Sequence, residues 1–232
     1  MEFNLNKIYA KIIEANSKPE NFSELSEKMI SNYLKSCEEL GFIEKENVLS
    51  FKKIFFEKVE NIHFTEAKIT PFHKYAYSNS FLLFSIGSCE NDVDIELNFY
   101  KAVTEMFFEC NPKENIALNN AIGNLVAQKV YEHINNISLL PSFIEEQIGN
   151  NVIKTKREFF QYNYFQILFK QLLLYVGISE THFIKKCFNN GYNEVIEEVF
   201  MVDSKTTHFC KYLEFIFLEY KESVLSGKTS DQ

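Results

Sequence analysis

Residues 114–137, ENIALNNAIGNLVAQKVYEHINNI, decide the fold. Leu118, Ile122, Leu125, Val126, Val130, Ile134 and Ile137 recur mostly at steps of three and four, the period of one helical face. Asn120, Asn124, Gln128, Glu132 and Asn135 fall on the other side. The spacing predicts a long amphipathic helix with a polar outer face.

The same pattern extends toward the C-terminus. Pro141 and the Ser142…Glu145 pair, which has capping-box spacing, predict a short helix ending at Gly149. Residues 156–176 carry Phe159, Phe160, Tyr162, Tyr164, Phe165, Phe169 and Tyr175 on all sides, as expected of a central helix. Ser179 opens a helix over 180–189, and Asn189-Asn190-Gly191 closes it. Two more helices are expected at 192–201 and 205–225, before a polar tail.

Toward the N-terminus, Asp92, Asp94 and Glu96 mark a helix start, where negative charge suits the dipole, and Asn111-Pro112 marks its end. Residues 64–90 are the least helical, and Phe81-Leu82-Leu83-Phe84 suits a buried strand as well as a helical turn. Residues 47–63 read as strand or helix. Residues 21–40 read as a helix: Asn21 and Glu24 have capping-box spacing, and Gly41 stands where a left-handed residue closes the last turn. A first helix is expected at 3–15.

The expected fold is therefore mainly α, a multi-helix bundle of about eight helices with a small irregular or β-containing insert near 64–90. Residues 1–60 form an N-terminal helical region and 61–232 a main domain packed as one unit. Composition agrees: 7 Gly and 4 Pro are too few for a turn-rich all-β chain, and 24 Phe with 12 Tyr supply apolar surface no disordered chain carries.

The formal net charge is -8, and Arg157 is the only arginine. Nucleic-acid binders carry a basic stripe, so this balance argues against extended DNA or RNA contact. The five cysteines, Cys37, Cys89, Cys110, Cys187 and Cys210, form no C-x-x-C pair and are odd in number. That excludes a zinc-finger pattern and a closed disulfide framework, and fits buried thiols in a reducing cytoplasm. The N-terminal sequence has no signal-peptide pattern, and Lys170 and Gln171 interrupt the most apolar run, so a soluble cytoplasmic protein is expected.

SELSEKMISNYLKSCEELGFIEKEN, residues 23–47, resembles the second half of a winged helix-turn-helix. The resemblance implies a strand hairpin at 46–56 and DNA binding, whereas residues 1–60 hold nine Lys against eleven acids. Glu60-Asn61-Ile62-His63 has the E-x-x-H spacing that places two metal ligands on one helical face, as in ferritin-like proteins. Glu105, Glu109 and His133 are the further candidate ligands, although the adjacent Glu132 and His133 point about 100° apart on a helix and do not easily face one site. Asp92-Val93-Asp94-Ile95-Glu96 lacks the glycine of a calcium loop, with Leu97 in its place. Cys89 with His63 or His73 is a poorly supported nucleophile pair, and no glycine-rich phosphate loop or G-x-S-x-G occurs.

Aromatic excess is the remaining signal. Most of it serves a Phe-rich core, and the rest an interface, with Tyr162 and Tyr164 as candidate contacts. The expected function is a non-enzymatic cytoplasmic regulatory, adaptor or inhibitor protein. It would act through an acidic face on a basic protein partner, without a cofactor, in a role such as immunity or counter-defence. A homo-oligomer is compatible with the sequence. The alternatives are a helical metal-dependent enzyme, oxygenase-like or ferritin-like, and a winged-helix transcription regulator.

Overall fold

The computed structural model describes residues 19–58, 61–65, 74–78, 81–89, 92–110, 114–139, 143–148, 151–156 and 163–225. The fold is mainly α. Its helices are α1 (Pro19–Glu39), α2 (Val48–Lys58), α3 (Asp92–Phe107), α4 (Ile116–Asn135), α5 (Asn163–Val176), α6 (Glu180–Asn190), α7 (Tyr192–Phe200) and α8 (Ser204–Leu225). The helix expected at 3–15 and the tail lie outside the described residues.

The insert contains a three-stranded sheet of β1 (Asn61–Thr65), β2 (Tyr75–Ser78) and β3 (Phe81–Ser85), in the order β1-β3-β2. β3 pairs in parallel with β1, Ile62 opposite Leu82, and antiparallel with β2, Tyr75 opposite Phe84. As the middle strand it has its backbone paired on both edges; on one face Leu82 and Phe84 are fully buried, and Leu83 on the other is half-buried.

Two elements differ from the sequence expectation. The segment expected as a helix ending at Gly149 is β4 (Phe143–Ile148), paired antiparallel with β5 (Asn151–Lys156). Ile148 faces Asn151, leaving Gly149-Asn150 between the strands, a dipeptide typical of two-residue hairpins. The β-branched Val152, Ile153 and Thr155 add strand preference, and together these signals outweigh the Ser142…Glu145 spacing. Lys156, the expected start of the aromatic helix, belongs to β5, and the described helix is Asn163–Val176.

The winged-helix hairpin expected at 46–56 is absent: a 3-10 turn at Lys45–Asn47 leads directly into α2. α1 starts two residues before Asn21, at Pro19, whose fixed φ suits a first helical turn.

Four helix ends share one pattern. At α1, Phe42 N–H donates to Cys37 O (2.8 Å) and Gly41 N–H to Glu38 O (2.8 Å), with Gly41 at φ 73°. α5 closes identically at Gly177, φ 75°, through Ile178 N–H to Leu173 O and Gly177 N–H to Leu174 O. α4 and α3 use the same closure, but with Asn136 (φ 50°) and Glu109 (φ 51°) in the left-handed position.

The buried apolar residues form one cluster running from Ile30 to Phe217. Its centre is α4, which packs against α1, α3, α5 and α8. α4 is buried around most of its circumference, and Asn124, assigned to a solvent face by its spacing, is 2 % exposed. Asn120, Gln128 and Lys129 of α4 meet Lys101, Gln166 and Glu180 of neighbouring helices. α5, expected to be central, exposes Leu174 and Tyr175.

Much of the aromatic excess is core. Phe107 lies 5.4–6.1 Å, centroid to centroid, from Tyr33, Phe51, Phe55 and Phe188, and Phe188 passes the chain of rings to Phe108 and Tyr192. Such pairs are favoured beyond simple area burial.

Candidate functional site

Three polar constellations stand out. The first joins the sheet to α3 and α4. Lys101 and Glu105 lie one turn apart on α3 and face Gly123 of α4. They are 5 % and 7 % exposed. Gly123 permits the approach: a Cβ there would stand 3.0 Å from Lys101 Cγ and 3.2 Å from Glu105 Oε1. Lys101 Nζ donates to Asn120 Oδ1 at 2.5 Å. Lys74, just before β2, pairs with Asp94, which also accepts from Asn98 Nδ2 at 2.7 Å. The Tyr75 hydroxyl reaches Glu105.

Two cations thus offset two carboxylates inside the fold. Burial pushes Lys101 down and Glu105 up, and each partly restores the charge of the other. An amine with a lowered pKa suits nucleophilic chemistry in an open pocket. Here it is held by Asn120 and closed in by α4, so the arrangement fixes two helices and a strand to each other.

The second constellation is a side-chain relay. Gln166 Nε2 of α5 donates to Gln128 Oε1 of α4 (2.7 Å), Gln128 Nε2 donates to Glu132 Oε1 (2.9 Å), and Leu139 N–H donates to the same oxygen (2.7 Å). The third surrounds Tyr192, whose ionisation is opposed by burial and by nearby Cys110, Cys187, Glu105 and Cys210. Burial raises these thiols, so they are protonated packing groups and not nucleophiles.

The candidate ligands named from sequence are dispersed. Glu60 lies outside the described residues, and His63 is in β1, so the E-x-x-H spacing does not describe a helical face. Glu105 is buried beside Lys101, whereas Glu109 is exposed beyond the end of α3 in a left-handed conformation. His133 turns toward α1, with Nδ1 3.3 Å from Ser36 Oγ and Nε2 3.5 Å from Glu39. Glu132 turns instead to Gln128 and the Leu139 N–H. Among the described residues, no group of three or more His, Cys, Asp and Glu is placed to hold a metal ion. The Asp92–Glu96 segment is the first turn of α3 rather than a calcium loop. Cys89 is half-buried, its thiol 3.5 Å from Ser85 O, and its possible partner His73 lies outside the described residues.

Of the candidate contact residues, Tyr162 lies outside the described residues, and Tyr164 is in the first turn of α5 with its side chain outside them. The structure offers a different aromatic face. α8 buries Thr206, Cys210, Leu213 and Phe217, and turns Tyr212 (60 % exposed), Phe215 (58 %) and Leu218 outward. The sequence signal for this face was present as excess: residues 205–225 carry more apolar positions than one buried stripe uses.

Compared with protein-family models, curated proteins and solved structures, the chain matches none. Among the described residues, no helix is long and apolar enough to cross a membrane.

Proposed function

We propose that this chain is a non-enzymatic cytoplasmic regulatory, adaptor or inhibitor protein that works through protein contact, with α8 as its contact helix. The observation that carries the reading is the outward position of Tyr212 and Phe215 on a helix whose opposite side is anchored in the core. Aromatic residues are enriched at protein interfaces, and residues three apart are neighbours on one helical face. The net charge of -8 supports a partner with basic groups around an apolar centre. The burial of Lys101 and Glu105 beside each other supports the same reading.

The test is affinity capture from the native host with mass-spectrometric identification, comparing the wild type with Tyr212→Ser/Phe215→Ser. Tyr162→Ser/Tyr164→Ser is run in parallel. Loss of a specific partner in the α8 variant, with an unchanged melting temperature, supports the reading. An unchanged set of partners sinks it.

A further inference from the structure

We propose that the outer face of α8 is the contact surface of an antiparallel homodimer. This rests on the reading of α8 as a contact helix and names its first occupant, a second copy of the chain. The exposed residues of the face are His208, Lys211, Tyr212, Phe215, Leu218, Glu219 and Glu222. Their order is self-complementary about Phe215. Counting outward from it, Tyr212 is matched by Leu218, Lys211 by Glu219, and His208 by Glu222.

A twofold axis through Phe215 would bring each residue of one copy against its opposite number in the other, because an isologous contact pairs i with j and j with i. Two copies of Phe215 then meet on the axis, flanked by Tyr212–Leu218 contacts. Lys211 of each copy faces Glu219 of the other, outside this apolar strip. All seven positions lie within about 60° of Phe215 at 100° per residue, so they form one face. Among the described residues, Lys211, Glu219 and Glu222 form no ion pair within the chain, so their charges are available to a partner. A parallel pairing would instead set Lys211 against Lys211 and Glu219 against Glu219.

One helix per copy buries less than about 1,200 Å² in total, so the dimer is weak and depends on concentration. Its dissociation constant is expected on the order of 10 μM.

The test is sedimentation velocity of the full chain from about 1 to about 200 μM. The wild type should shift from monomer to dimer across that range. Lys211→Glu and Glu219→Lys should each weaken self-association about tenfold, since each replaces two attractions by two repulsions. Mixing the two variants should restore a heterodimer, because both cross-contacts become attractive. Unchanged melting curves show that the exposed substitutions leave the fold intact.

A wild type that remains monomeric throughout overturns the dimer. So do single variants that associate like the wild type, or a mixture that does not recover. The capture experiment fails or succeeds separately. A monomer that still takes a Tyr212- and Phe215-dependent partner removes the dimer and keeps the contact reading. A dimer that exchanges charges as expected but captures no other protein does the reverse.

Discussion

Glu214 of α8 caps α4 from 97 positions away in sequence, its Oε2 accepting the Ala117 N–H at 2.8 Å. Its Oε1 accepts from Ile116 at 3.1 Å. The residue before the helix, Asn115, is left-handed and makes no side-chain cap, so Glu214 takes over that role. A carboxylate at a helix N-terminus satisfies free donors and meets the positive end of the dipole. Replacing Glu214 by Ala should lower stability by about 1–2 kcal/mol, and Gln should cost less because its amide oxygen still accepts. Urea unfolding measures both; an Ala variant as stable as the wild type would remove the cap.

At the end of α3, Glu109 holds the left-handed position that Gly41 and Gly177 fill on α1 and α5. A side chain with a Cβ is strained there by about 1 kcal/mol. Glu109→Gly should therefore stabilise the protein by less than about 1 kcal/mol, because the larger unfolded-state entropy of glycine takes back part of the relieved strain. Thermal denaturation reads the result, and a lower melting temperature for the variant would contradict it.

Most helices were legible because their periodicity and their stop signals agree: Gly41, Ser179 and Gly191 each mark an observed boundary. At β4 two local signals compete, and the Gly149-Asn150 pair with its β-branched flank outweighs the Ser142…Glu145 spacing. The central position of α4 was hidden for another reason. A spacing rule counts Asn120, Asn124 and Gln128 as solvent-facing, but it cannot tell water from a buried partner such as Lys101 or Gln166. The α8 face was hidden likewise. Tyr212 and Phe215 look like core residues in a list, and only their angle from Leu213 and Phe217 shows them turned outward.

Thiol reactivity should divide the cysteines. Cys37, Cys110, Cys187 and Cys210 are buried, whereas Cys89 is half-buried. Burial raises the Cys37 and Cys187 thiols far above their ordinary value, and Cys210 is pushed up to about 11. The thiolate is the reacting form, so these groups are both shielded and protonated. A water-soluble disulfide reagent near neutral pH should modify Cys89 first, with the four buried thiols reacting only as the fold opens. Peptide mapping of early-labelled protein checks the order, and fast labelling of Cys110 or Cys187 would contradict the packing around Tyr192.

The Lys101–Glu105 pair predicts a pH signature in a variant. Removing one member of a buried pair leaves the other charge uncompensated, at a cost of about 3–5 kcal/mol. In Lys101→Met, Glu105 loses the cation that lowers its pKa, and burial holds that pKa above its unfolded value. A raised carboxyl pKa contributes stability that is fully present below the unfolded value and is lost as pH rises through the folded one. The deficit of Lys101→Met relative to the wild type should therefore be largest near about pH 7 and shrink toward about pH 5, as Glu105 takes up a proton. Lys101→Met/Glu105→Leu removes both charges and should recover most of the loss, with a deficit that no longer follows pH, because a hydrophobic pair of similar volume replaces the ions. Urea unfolding of the three proteins at the two pH values tests this. A deficit of equal size at both would show that Glu105 does not carry the uncompensated charge.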